Sequence, residues 1–380
     1  MAASERYETI VVGVGGMGSA TVDHLARRGV DVLGLERYDI PHSKGSSHGV
    51  TRIIRRPQFE DPAYVPLVER SFELWEDLAE THDRELLVRN GSIDVGPAGS
   101  DIVRDSRDSC EQYGFEYEEL TGEELGERFP GYDLPDNFRA IYQPDGGFVV
   151  PEQCIIAHVN RAHEHGAEIH AREQVLGWEP TADGGVTVET DAASYQADKL
   201  VITAGAWAAD LVPQLEGLAV PERQVLAWLQ PEVPASFQPE NFPVFVIETD
   251  LGHHYGFPVY DVPGFKFGWF NHLEETVDPD TMNREPTPED ERVLREFAEQ
   301  YFPDGAGPTM RLSTCIFTNT PDEHFVLDTL PEHPQVTVGA GFSGHGFKFA
   351  SVVGEILADL SEEDETDHDI DLFDIERFDG

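Results

Sequence analysis

Residues Glu8 to Glu36 read ETIVVGVGGMGSATVDHLARRGVDVLGLE. Thr9-Ile10-Val11-Val12 is an apolar, β-branched run of the kind buried on both faces in a parallel sheet. Gly13-Val14-Gly15-Gly16-Met17-Gly18 follows at once. Ser19 to Arg28 reads as a helix, with Ala20, Leu25 and Ala26 to pack and Gly29 as its stop. Asp31 to Leu35 is a second strand, and it ends in Glu36. In such a unit Gly13 permits the tight turn, Gly15 lets the backbone approach a pyrophosphate, and Gly18 lets helix and strand pack closely. The helix N-terminus offers free N–H groups and a positive dipole end to phosphate. Glu36, about 20 residues beyond the glycines, suits the hydroxyls of an adenosine ribose. Glycine spacing alone is weak, but strand, glycines, helix, second strand and terminal acid in order predict dinucleotide binding. A carboxylate at Glu36 disfavours a 2′-phosphate, which leaves NAD and FAD open.

Outward from that unit, Asp61 to Asp83 has helical spacing, and helical and mixed segments run on to about Pro135. Cys154 to His165 reads as a helix and Ala167 to His170 as a short strand. Gly185 to Thr190, Ser194 to Ala197 and the buried run Asp198 to Thr203 read as strands. The chain is strand-rich from Pro221 to Phe270, and Pro288 to Tyr301 is a charged amphipathic helix. Pro334 to Gly339 is a further buried strand, and a glycine-rich loop leads from it into a helix over Phe347 to Leu360. Strands at the start, near 200 and near 337 are therefore expected in one parallel sheet, with antiparallel material between them as a second layer. The fold class predicted is α/β, α+β overall: a Rossmann-like domain with a mostly antiparallel second domain, discontinuous in sequence.

The chain has 26 Lys+Arg against 73 Asp+Glu, a net charge of -47, which repels nucleic acid and anionic membranes. Lysine survives only at Lys44, Lys199, Lys266 and Lys348. Such a balance suits a salty cytoplasm, because molar salt cuts the Debye length to about 3 Å and removes most self-repulsion. Met1 to Thr9 has no basic stretch or apolar signal core, and Phe378-Asp379-Gly380 is no retention tag. A cytoplasmic monomer is expected. Cys110, Cys154 and Cys315 are too few and too scattered for a disulfide framework. His158, His163, His165 and His170 lack metal spacing on one helix face, and no metal site is expected.

Gly341-Phe342-Ser343-Gly344-His345-Gly346-Phe347-Lys348-Phe349 resembles the C-terminal signature of the monomeric sarcosine oxidase and N-methyltryptophan oxidase family. So does Ser47-His48-Gly49-Val50-Thr51-Arg52-Ile53-Ile54-Arg55. Cys315 with Thr318 to Phe325 is similar to the family's flavin-cysteine region, and Tyr255-Gly256-Phe257-Pro258 with Lys266 and Gly268 to its central sheet. The resemblance runs over essentially the whole chain. It implies FAD, covalently held through Cys315, and an amine oxidase reaction on a small-molecule amine and oxygen. It implies an FAD-binding domain over residues 1–85, 145–215 and 322–380, and a substrate domain over 86–144 and 216–321.

Arg55 and Lys348, with Tyr255, are implied to hold the substrate carboxylate. His48, Arg52, Tyr255 and Lys266 are implied catalytic residues, with Lys266 activating oxygen. Besides the glycine-loop residues Gly13, Gly15, Gly16, Met17 and Gly18, the implied FAD contacts are Glu36, Arg37, Thr51, Arg52, Val175, Gly205 and Trp207. The remaining ones are Cys315, Phe342, Gly344, His345, Gly346, Phe347 and Lys348. Taken alone, a sparse cysteine such as Cys315 would be a buried, inert thiol, the reading kept for Cys110 and Cys154. Phe270 falls where the family has a histidine, and Phe317 where it has a tyrosine. A more apolar pocket extends the expected substrates from sarcosine to larger N-methyl amino acids and cyclic amines such as proline or pipecolate. Other readings are an amine dehydrogenase or D-amino-acid oxidase on the same fold, or a non-catalytic flavin-carrying subunit.

Overall fold

Thr9 to Val12 pairs in parallel on both sides, with Lys199 to Ile202 and with Val32 to Leu35. The computed structural model describes residues 6–378, and both chain-end readings lie partly outside them. Strand Ser194–Ile202 also pairs in parallel with Val336–Ala340, so the start of the chain, residue 200 and residue 337 meet in one sheet. That sheet has eight strands, extended by Glu168–Ala171 at one edge and by antiparallel strands Val175–Pro180 and Val186–Thr190 at the other. Helices Gly16–Arg27 and Ala350–Glu363 pack on it, and Pro151–Glu164 packs against the first of them. Gly16–Arg27 and Ala350–Glu363 approach so closely that a Cβ on Gly354 would stand 2.4 Å from the Ala20 Cβ.

The second sheet also has eight strands, in the order 309–319, 220–229, 265–269, 252–257, 244–249, 92–97, 138–143 and 118–121. It is antiparallel except where Val244–Ile247 runs parallel to Ser92–Val95. Its far end falls in the helical and mixed region expected up to about Pro135, where strands alternate with helices Asp101–Tyr113 and Gly122–Arg128. Ser92–Pro97 carries a buried Asp94 that breaks the apolar alternation, and Glu118–Thr121 is a polar strand that exists only through pairing. A small sheet of Arg52–Ile54, Leu87–Val88 and Gly147–Val149 sits beside these two.

Two helix starts also differ from expectation. The first begins at Gly16, not Ser19, so Gly16, Met17 and Gly18 form its first turn. The last is preceded by a 3-10 turn at Phe347–Phe349, and its α-helical part begins only at Ala350. Among the described residues no helix is long and apolar enough to cross a membrane.

Candidate functional site

The glycine loop is shaped by contact. Gly13 has φ 89°, and a Cβ on Gly18 would stand 1.7 Å from the Gly13 carbonyl oxygen, so helix and strand can meet only without a side chain there. Gly15, in contrast, faces space, with only the Ser47 hydroxyl at 3.9 Å. Thr203, from the neighbouring strand, donates to the Val12 and Gly13 carbonyls and ties the turn to the sheet. Glu36 is buried and accepts the Val14 and Tyr38 N–H groups at 2.9 Å each. Burial alone would raise its carboxyl, but His42 and those two N–H groups hold it below the usual carboxylate range. It is thus an ionised acceptor with lone pairs left for a ribose.

A cavity of about 380 Å³ runs from Glu36 past the glycine loop toward Phe317. Gly13, Gly15, Gly16 and Met17 line it, as do Arg37, Arg52, Val175, Gly205 and Trp207; Phe342, Gly344, Gly346 and Phe347 close its far side. Gly18, Thr51, Cys315, His345 and Lys348 do not reach its wall. The residues fit FAD: the pyrophosphate turn is open at Gly15, the ribose acid is in place, and Thr318, on the wall, has a buried hydroxyl with no partner.

Beyond the cavity lies a cluster built by the strands Arg52–Ile54, Phe265–Trp269 and Thr309–Asn319. Arg52 donates to the Thr51 and Ser46 carbonyls, and its Nη2 lies 3.6 Å from the Cys315 sulfur. Lys266 donates to the Thr51 carbonyl at 2.7 Å and the Thr51 hydroxyl at 3.0 Å, with its ammonium 4.2 Å from the Phe257 ring centre. Burial, then the Arg52 charge, pushes that ammonium well below the ordinary lysine range; Glu152 pulls the other way. Burial also drives His48 down to about 3, with Arg52 and Lys266 adding to it, so the ring is neutral. Its Nε2 is buried without a partner. Burial pushes the Tyr255 hydroxyl up, keeping it a donor. Glu152, which sequence reading missed, accepts the N–H groups of Gly49 and Val50, and its charge favours the charged form of Lys266.

Arg55 and Lys348, expected to hold a substrate carboxylate, do come together, but on an internal acid. Arg55 is 2% exposed and donates from Nη2 to both oxygens of Glu60 at 2.8 Å, while Asp94 lies 3.6 Å from its Nε. Lys348 reaches Glu60 at 3.4 Å and the His345 carbonyl at 3.1 Å. Sequence reading treated Arg55 and Lys348 as open donors and missed both acids. Glu60 was legible as the first acid after the arginine run, whereas Asp94 joins only through the second sheet. Burial would raise the Glu60 carboxyl, yet Arg55 and Lys348 hold it well below the usual range. Burial lowers Lys348 to about 8 and His345 to about 4. Phe270 and Phe317 pack with ring centres 5.3 Å apart, and a Cβ on Gly344 would strike both rings. Cys110 and Cys154 are buried, and burial pushes both thiols up, Cys110 to about 12 with nearby Asp94 adding to it and Arg55 opposing.

The chain is 42% identical to the monomeric sarcosine oxidase of Streptomyces avermitilis over 379 residues, covering 98% of each. It is 36% identical to the N-methyl-L-tryptophan oxidase of Escherichia coli O157:H7, covering 98% of this chain and 100% of that one. Among solved structures, the open form of NikD, an unusual amino acid oxidase essential for nikkomycin biosynthesis, superposes with a TM-score of 0.83 at 26% identity, covering 98% of both chains. The family model described as FAD dependent oxidoreductase (DAO) matches residues 8–360. A glycine turn open to a pyrophosphate, an ionised ribose acid and a matching family over nearly the whole length lead to one conclusion: the chain belongs to the FAD dependent oxidoreductases.

Proposed function

We propose that this enzyme oxidises a small secondary amine bearing a carboxylate, sarcosine or a larger N-methyl or cyclic amino acid, to its imine, and that oxygen is reduced to hydrogen peroxide. The observation that carries the reading is the buried pair Arg55 and Lys348, already closed on a carboxylate. When bound, FAD supplies the two-electron acceptor. The chain's own residues do the rest. Arg55 offers a planar donor fork and Lys348 a point charge to the substrate acid, which takes the place of Glu60. Phe270 and Phe317 give the substrate an apolar wall. Lys266, held by Thr51, presents positive charge to oxygen as oxygen gains electrons. Cys315, beside Arg52, is the residue we assign to covalent attachment. Residues 1–85, 145–215 and 322–380 form the cofactor-binding part and 86–144 with 216–321 the substrate part. A net charge of -47 supports a working place in a salty cytoplasm.

The test is anaerobic bleaching of the flavin by N-methyl and cyclic amino acids beside the same amines lacking the carboxylate. Only the carboxylated amines should bleach it, and air should then restore colour with one peroxide per turnover. Equal bleaching by the decarboxylated amines would overturn the clamp. Bleaching that air does not reverse would point to a dehydrogenase.

A further inference from the structure

The segment 277–285 leaves the second sheet, crosses to the nucleotide-binding sheet and returns. Its ends are fixed to the second sheet: Val277 N–H donates to the Pro221 carbonyl, the Thr314 hydroxyl to the Arg284 carbonyl, and the Arg223 guanidinium to the Asn283 carbonyl. Its middle is stiffened by Asp278, whose carboxylate accepts the Asp280 N–H and the Thr281 hydroxyl. At the crossing, Asp280 accepts the Trp207 indole N–H at 2.8 Å and the Arg37 guanidinium at 2.8 Å. Arg37 in turn lies 5.4 Å from the Trp207 ring centre and 5.3 Å from that of Tyr38. Arg284 adds a bond to the Lys44 carbonyl. Arg37, Tyr38 and Trp207 all line the cavity at the end where Glu36 awaits the ribose. A single carboxylate on a turn anchored to the second sheet thus bonds two side chains that wall the adenosine end of a cleft in the first.

We infer that residues 277–285 are a clasp across the adenosine end of the cofactor cleft, with Asp280 as its catch and a positioning residue for Trp207 and Arg37. The inference rests on FAD lying in the cleft with its ribose at Glu36. The Asp280–Arg37 pair is half-exposed and, alone, contributes little. The clasp acts because both donors converge on one acid whose segment is anchored at each end. Its work is to slow departure of the adenylate half.

The experiment uses the full chain carrying Cys315→Ser, loaded with FAD or with FMN, which lacks the adenylate. Flavin release after dilution is read as the rise of free-flavin fluorescence. Adding Asp280→Ala should speed FAD release about tenfold and leave FMN release unchanged. Trp207→Phe, which keeps the ring and removes the indole N–H, should speed FAD release in the same direction. Joined to Asp280→Ala, it should add little, because the two remove one contact. Unchanged or slower FAD release in the Asp280→Ala protein would overturn the clasp. Equal acceleration of FAD and FMN would overturn it too, since that marks general loosening. A Cys315→Ser protein that takes up neither flavin would overturn the cofactor placement and the clasp with it.

Discussion

Glu60 already holds Arg55 and Lys348, the two donors proposed for the substrate carboxylate, and this sets what single substitutions should do. Both Glu60 oxygens are bonded by Arg55, so an incoming acid must displace an internal one. Glu60→Gln removes that competitor's charge, and acetate should then bind about tenfold more tightly, roughly 1.4 kcal/mol. Arg55→Ala should do the opposite, weakening acetate by on the order of 2–5 kcal/mol. Titration of the flavin spectrum with acetate reads both; equal shifts of one sign in both variants would sink the displacement. The same titration has a pH dependence. Lys348 is held down to about 8, so it is charged below that pH and neutral above it. Acetate, which has no amine to titrate, should therefore bind well below pH 8 and progressively less above it. Affinity that stays flat to pH 10 would remove Lys348 from the clamp. Lys266 makes a third case. Lys266→Met keeps length and loses charge, so reduction by substrate should be spared while reoxidation by oxygen slows about a thousandfold, the loss of roughly 4 kcal/mol. Rapid mixing of each half-reaction decides it, and slowed reduction with normal reoxidation would move Lys266 to the substrate side.

At the scale of elements, close approach of backbones governs the nucleotide half. Helix Gly16–Arg27 starts at its glycines because only a residue without Cβ can stand where Gly18 meets the Gly13 carbonyl. Gly18→Ala forces that turn apart, a strain of at least the 1–3 kcal/mol usual for overpacking. The variant should melt lower and purify with little flavin; normal flavin content and melting temperature would show that the turn yields. The same helix is joined to Pro151–Glu164 by a buried network, in which Asp23 accepts from Arg161 and lies 2.7 Å from His158. Burial would raise the Asp23 carboxyl, but His158 and Arg161 hold it at about 2. Two helices that flank the cofactor are thus fixed by charge as well as by apolar packing.

For the whole molecule, the acid excess is the dominant electrostatic fact. Arginines on the surface are largely paired, as Arg6 is with Asp198 and Arg172 with Asp39, and exposed pairs of this kind contribute little. With 26 Lys+Arg against 73 Asp+Glu, the cations cannot offset the acids one for one, and the remaining repulsion acts against the compact state. Raising salt from about 0.1 M to about 1 M shortens the Debye length from roughly 10 Å to roughly 3 Å. The melting temperature should rise steeply over that range, and flavin should be lost at the low end. A melting temperature indifferent to salt would refute adaptation to a salty interior.

By itself the sequence determined the nucleotide-binding unit, and resemblance named the residues proposed to react. Glycine spacing, a buried β-branched strand and a terminal acid are local constraints, legible within Glu8 to Glu36. His48, Thr51, Arg52, Lys266 and Cys315 were legible through resemblance, and the strands bring Arg52, Lys266 and Cys315 around Ser46 and Thr51. Tertiary structure alone decided what those groups face. Glu60 closes on Arg55 and Lys348, Asp94 reaches Arg55 from a strand the periodicity did not show, and Asp280 reaches Trp207 and Arg37 from another sheet. The reason is physical. A polar residue carries no hydropathy signal, so its partner is set by which strands pair and where segments cross, and those are long-range facts of the fold.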